Sequence, residues 1–250
     1  MTGPAVDRTP PAKPAGLPAF LQHWVHLSFL HWEFPAAALR PLLPAGLELD
    51  TYRGQAYVSL VPFTLRDVRP WWMPAVPWLS DFHEFTLRTY VLDPNGHPGV
   101  WFFSLDADSR IGVALGRSRY KLPCFYARMS LDGSHPGRYH CHSARMYPGA
   151  GTPGCDLTTT FSGNARPAAP GTLEHFLLER YFLFSHADGQ LFVSQVWHRP
   201  YPFRAAMAQV RSESLLAASG LGRPAEAPLV HQCDGVRVKV YRLRRVAGRR

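Results

Sequence analysis

The chain has 250 residues, of which 46% are hydrophobic and 18% charged, which excludes a disordered chain and leaves ample material for a buried core. The formal charge of +9 suggests a nucleic-acid partner only until it is located: residues 237–250 (RVKVYRLRRVAGRR) hold seven basic side chains and no acidic one. The basicity belongs to one terminus, no nucleic-acid-reading motif accompanies it, and no run approaches the roughly 20 apolar residues of a membrane span.

The opening residues, MTGPAVDRTPPAKPAGLP, lack the apolar core of a signal peptide. Residues 1–20 are expected to form a flexible Pro-rich tail, 21–245 a single domain and 246–250 a basic tail, in a cytoplasmic protein. Cys124, Cys141, Cys155 and Cys233 stand far apart without a C-x-x-C pair, as structural thiols do.

In chain order, Trp24–Phe34 reads as a strand with Trp24, His26, Ser28, Leu30 and Trp32 on one face. PAAALRPLL follows as a short helix, and Gly54 separates LELDTY from the strand QAYVSLVPFTLRDV as a hairpin. RPWWMPAVPWLS is too dense in proline for a central strand or a helix, so it is expected as a stiff aromatic loop that plugs one end of the domain or caps its core. In 82–91, alternation puts Phe82, Glu84, Thr86, Arg88 and Tyr90 on one face. Glu84 and Arg88 then point the same way, free to pair with each other or with a ligand.

A helix over 109–120, capped by Ser109, ends where Pro123 forces the chain out. Arg117 falls one turn before Lys121, and two neighbouring cations lower a lysine pKa and favour attack on a carbonyl; the competing reading is a solvated helix-end cation. YARMSL, RYHCHSARMY and CDLTTTF read as strands. The segment 149–154 matches G-x-G-x-x-G, but Pro153 and the TTT run argue for a turn and a strand. A helix is expected over 172–184, capped by Thr172, and another over 203–219, ending at Gly220; GVRVKVYRL is expected as an edge strand. His140 and His142 share a strand face without a third ligand nearby, so neither a metal nor a cofactor is expected. G-x-S-x-G is absent, and Cys124 reads as a packed residue.

Several segments in this order, FLHWEFPAAALRPLLPAGLELDTYRGQAYVSLVPF, FHEFTLRTYV, GVWFFSLDA, RYKLPCFYARM, LEHFLLERYFLF and LVHQCDGVRVKVYRL, resemble the YqjF-like proteins, an uncharacterised bacterial family. The resemblance spans about residues 22–245. More remotely the chain is similar to the acetoacetate decarboxylase superfamily, which implies an α+β, β-rich fold: a cone-shaped β-barrel around a polar cavity, with a few packing helices. In the decarboxylases a G-R-E helix leads to G-F-P-K-K, where a lysine after the proline forms the Schiff base and a barrel glutamate assists. Gly116-Arg117, Pro123 and Glu84 resemble these landmarks, while Cys124 and Phe125 stand where the two lysines would be.

The expected function is binding of a small anionic or carbonyl compound, with Arg88 and Arg117 holding the anion, Glu84 orienting it or exchanging a proton, and Tyr120 donating. Turnover of a keto acid in the same cavity would add Lys121. A reading of another class has the basic C-terminus bind nucleic acid or anionic lipid. The sequence is compatible with a monomer or a homo-oligomer.

Overall fold

The computed structural model describes residues 6–146 and 152–247. Among the described residues thirteen strands form one sheet. The first seven are β1 (Phe20–Phe34), β2 (Glu48–Leu49), β3 (Ala56–Pro70), β4 (Phe82–Leu92), β5 (Pro98–Ala107), β6 (Cys124–Asp132) and β7 (Arg138–Arg145). They are followed by β8 (Gly154–Phe161), β9 (Phe182–Ala187), β10 (Gln190–Trp197), β11 (Phe203–Glu213), β12 (Leu229–Val240) and β13 (Arg244–Arg245). Among the described residues four α-helices accompany them, α1 (Ala36–Leu39), α2 (Arg110–Tyr120), α3 (Leu173–Leu178) and α4 (Leu215–Ala218), with a short 3-10 helix at Arg40–Leu42.

The strand order is β13-β10-β9-β5-β6-β7-β8-β11-β12-β1-β3-β4-β2, and β4 also pairs with β5 while β10 pairs with β12. These extra pairings fold the sheet back on itself into a ring. Most neighbours are antiparallel; β5 and β6 are parallel and joined by α2, the crossover a parallel pair requires. Among the described residues the two largest apolar clusters lie on opposite faces of β3. One gathers Leu30, Trp32, Leu60, Leu87 and Leu157 with Leu215 and Leu216 of α4, and the other gathers Leu27, Phe29, Val61, Phe63 and Leu65 with Val196, Val236 and Val238.

Both long-helix expectations after residue 170 need correction. Thr172 does cap a helix, its hydroxyl accepting from His175 N–H, but that helix stops at Leu178 and the chain becomes β9. Residues 203–213 form β11, paired with β8 and β12, and only Leu215–Ala218 are helical. The alanines and Met207 favour a helix, yet Ala206, Ala208 and Val210 alternate inward against the first cluster, and sheet pairing overrides local preference. β12 lies between β11 and β1 rather than at an edge, and β3 pairs along its length with β1 and β4; the hairpin expected at Gly54 is a single antiparallel bridge, Tyr52↔Gln55, across the Arg53-Gly54 turn.

The face assigned to the first strand is also revised. Opposite β3, one extra residue of β1 is accommodated between Val25 and Leu30, and His26 adopts φ +56°. A bulge swaps facing, so Trp24 looks to the same side as Leu27 and Phe29, while Leu30 and Trp32 join the other cluster. The N-terminal stretch is in contact with the body: Arg8 forms two hydrogen bonds to Asp50 (2.7 and 2.8 Å), and Ala12 O accepts from Gln195. At the other end Arg244 and Arg245 are paired to β10. Residues 149–151 of the glycine-rich segment lie outside the described residues; Gly154 opens β8. No helix among the described residues is long and apolar enough to cross a membrane.

Candidate functional site

The second cluster borders a cavity of about 360 Å³. Its walls are Trp24, Leu27 and Phe29 of β1, Val61, Phe63 and Leu65 of β3, and Phe102 and Leu105 of β5; α2 and the 69–80 loop stand at its mouth. Phe82, Glu84, Thr86 and Arg88, the alternating face of β4, all line it. Regular pairing of this strand with β3, from Val58↔Thr89 to Leu65↔Phe82, keeps that face in phase along its length.

Glu84 reaches the cavity among apolar neighbours, and burial, then the nearby Asp108 carboxylate, push its pKa up to about 8. Asp108 is itself fixed by accepting from His83 N–H at 2.7 Å. Arg88 is 8% exposed; its Nε and Nη2 have no hydrogen-bond partner, and among the described residues no acidic group lies within ion-pair distance of it. Its guanidinium lies 5.7 Å from the Phe29 ring centre. Thr86 also carries an unengaged buried hydroxyl.

Tyr120, at the end of α2, lines the cavity, and burial raises its phenol to about 12. Ser109 caps α2 as expected, its Oγ accepting from Gly112 N–H at 3.0 Å. Gly116 faces Cys124 so closely that an added Cβ would sit 2.5 Å from the Sγ, so glycine is what lets α2 lie against β6. Burial, reinforced by Glu84, pushes the Cys124 thiol up, leaving it un-ionised in the cavity wall.

Two sequence candidates lie elsewhere. Lys121 is exposed, in the left-handed conformation (φ +56°) that ends α2, and it does not line the cavity. Arg117 is also exposed; its Nε donates to Cys124 O at 2.6 Å, which ties α2 to β6 instead of facing a ligand. The chain has only three lysines, Lys13, Lys121 and Lys239, and none borders the cavity.

Sequence reasoning missed Arg180, which it placed on a packing helix. Arg180 is 4% exposed, lines the cavity, donates to Asp50 at 2.6 Å and to Phe176 O at 2.7 Å, and retains an unengaged Nη2. The available signal was an arginine on an otherwise apolar stripe. Arg180 sits over the Tyr90 ring at 4.9 Å, and both Arg88 and Arg180 counteract the burial that raises the Tyr90 pKa, so their positive fields meet there. Asp156 faces both His140 and His142, at 3.3 and 3.6 Å; among the described residues no group of three or more His, Cys, Asp or Glu side chains is arranged to hold a metal.

A sheet ring with few helices encloses an apolar cavity into which one strand delivers a carboxyl and a guanidinium, an arrangement consistent with a small-molecule-binding fold. The chain belongs to the DUF2071 family, described as an uncharacterized conserved protein (COG2071), which matches residues 21–237. It is 34% identical over 238 residues to the uncharacterized protein YqjF of Bacillus subtilis (strain 168), covering 93% of this chain and 94% of that one. Among solved structures it is similar to the enduracididine biosynthesis enzyme MppR complexed with pyruvate (TM-score 0.64, 12% identity, 94% of this chain and 93% of that one). It is also similar to acetoacetate decarboxylase from Legionella pneumophila subsp. pneumophila str. Philadelphia 1 (TM-score 0.63, 14% identity, 99% and 98%). The fold is therefore acetoacetate decarboxylase-like and sheet-rich, as the sequence resemblance implies.

Proposed function

We propose that this protein binds a small carboxylate with an apolar body, non-covalently, in the cavity behind α2 and the 69–80 loop. Arg88 carries the reading. A guanidinium so deeply buried, with unengaged nitrogens and no acidic neighbour among the described residues, is unfavourable until an anion supplies the missing charge. Arginine matches a carboxylate through two parallel hydrogen bonds, and the unengaged Arg180 Nη2 offers a further donor.

Phe29, Phe63, Leu65 and Phe102 supply surface for the ligand's apolar part. Glu84, largely protonated at neutral pH, and the Tyr120 hydroxyl are donors for a carbonyl or hydroxyl on the same ligand. MppR holds pyruvate, a small oxo acid, in a protein of this fold, which supports the ligand class. Because no lysine borders the cavity, binding proceeds without a Schiff base.

Titration calorimetry with 3-phenylpropanoate and its amide tests the reading. The wild type is expected to bind the acid at least about tenfold more tightly than the amide, a preference that Arg88→Met removes. Equal affinity for the two, or no binding of any short apolar carboxylate, overturns it.

A second reading, turnover of a keto acid, rests on Glu84. A carboxyl that ionises near pH 8 can exchange a proton with the carbon next to a bound substrate's keto group, through the enol. Deuterium uptake into the pyruvate methyl group, faster with wild type than with Glu84→Gln, is the expected sign; equal rates remove this reading.

A further inference from the structure

We propose that the mouth of the cavity docks on an anionic lipid surface. The 69–80 loop lines the cavity at its mouth, where a plug would stand, but its tryptophans do not pack inward: Trp71 is 41% exposed, Trp72 62% and Trp78 84%. They are held outward by a built loop. Arg69 donates to Met73 O at 2.9 Å, the Ser80 hydroxyl accepts from Val76 N–H at 2.9 Å, and Val68 N–H donates to Ser80 O at 2.9 Å. Trp78 itself takes φ +58°, a conformation that large side chains adopt rarely.

The exposed apolar surface continues onto α2 through Ile111 (52%) and Leu115 (37%). These two and Met73 of the loop also line the cavity, so the patch and the opening are one surface. Apolar surface gathered in this way marks a contact site.

Charge selects the partner. Residues 69–80 and 110–121 carry Arg69, Arg110, Arg117, Arg119 and Lys121 and no acidic side chain; Asp67 and Asp81 stand at the base of the loop, where Asp81 accepts from Asp67 N–H. Exposed indoles on a surface whose two segments carry only basic side chains suit the interface of an anionic membrane, where the rings enter the headgroup layer and the cations meet phosphates. A second copy of the chain would bring the same cationic rim against this one, which is unfavourable. The proposal stands apart from the carboxylate reading, since loss of docking leaves calorimetric binding of a soluble ligand in place.

The test is co-sedimentation of the full chain with phosphatidylglycerol/phosphatidylcholine vesicles and with phosphatidylcholine alone, at low and high salt. Binding is expected to the anionic vesicles only, to weaken with salt, and to fall about fivefold or more in Trp71→Ser/Trp72→Ser/Trp78→Ser. It is expected to persist when residues 242–250 are deleted. If the triple variant melts early, Trp78→Ser alone, with vesicles brominated in their acyl chains, reads the same contact as reduced fluorescence quenching. The proposal is overturned by absent binding to anionic vesicles, by binding that the tryptophan variants leave unchanged, or by binding that only the terminal deletion removes. A dimer in sedimentation velocity that the triple variant dissolves also overturns it, since a second copy then covers the patch.

Discussion

Glu84 and Arg88 line one cavity from the same face of β4, and the Glu84 carboxyl takes its character from burial and Asp108 rather than from the arginine. Four strand residues span about 13 Å, enough to keep the two groups apart and leave each available to a different part of one ligand.

The raised Glu84 pKa has a consequence for stability. Unfolded, this side chain releases its proton near pH 4.5, whereas folded it holds it to about pH 8. Between those values the folded state binds more protons than the unfolded one, so stability falls as pH rises from about 4.5 through 8 and is level on either side. Glu84→Gln removes this slope. In urea titrations the variant is expected to match the wild type at pH 4 and to gain on it by roughly 2–4 kcal/mol at pH 9.

Arg88→Met is expected to leave the fold intact and to raise or maintain its melting temperature. The substitution replaces a buried, unpaired charge with an apolar chain of similar length. The same variant is expected to lose about 10- to 100-fold in carboxylate affinity, the equivalent of roughly 1.5–3 kcal/mol for hydrogen bonds to a charged group. Scanning calorimetry and titration on one preparation check both, and a collapse of stability would assign Arg88 a structural role.

A structural ion pair should behave in the opposite way. Arg145 and Asp106 are both buried and joined at 2.7 Å, with the guanidinium 3.9 Å from the Phe125 ring. Burial raises the Asp106 pKa, and the Arg145 hydrogen bonds hold it back. Arg145→Met alone strands the carboxylate and is expected to destabilise by about 3–5 kcal/mol, while Arg145→Met/Asp106→Asn recovers much of the loss. Denaturant midpoints of the three proteins decide it.

Borohydride reduction in the presence of pyruvate is expected to give no mass increase on the wild-type protein, and Lys121→Ala is expected to bind carboxylates with unchanged affinity. Intact-mass spectrometry and calorimetry check these outcomes. Each follows from the exposed, left-handed position of Lys121 and from the absence of any lysine on the cavity wall.

The facing of 82–91 was legible because a strand turns successive side chains to opposite faces: Phe85 and Leu87 enter the apolar core, while Phe82, Glu84, Thr86 and Arg88 share the cavity. So was α2, whose cap at Ser109 and stop before Pro123 are written locally. Facing in β1 was not legible, since the bulge at His26 depends on β3. β11 was misread because alanine and methionine carry helix preference while pairing with β8 and β12 decides the outcome. The placement of Arg117, Lys121 and Arg180 was hidden for a different reason: it depends on how α2 and the chain after α3 dock on the ring, and sequence spacing does not encode that docking.

The most direct measurement is a crystal structure of the protein soaked with 3-phenylpropanoate. The expected result is a carboxylate within hydrogen-bond distance of the Arg88 guanidinium, with the phenyl ring among Phe29, Phe63 and Phe102. Density that leaves Arg88 unengaged while the ligand sits elsewhere, or an empty cavity at saturating ligand, would contradict a carboxylate-binding role.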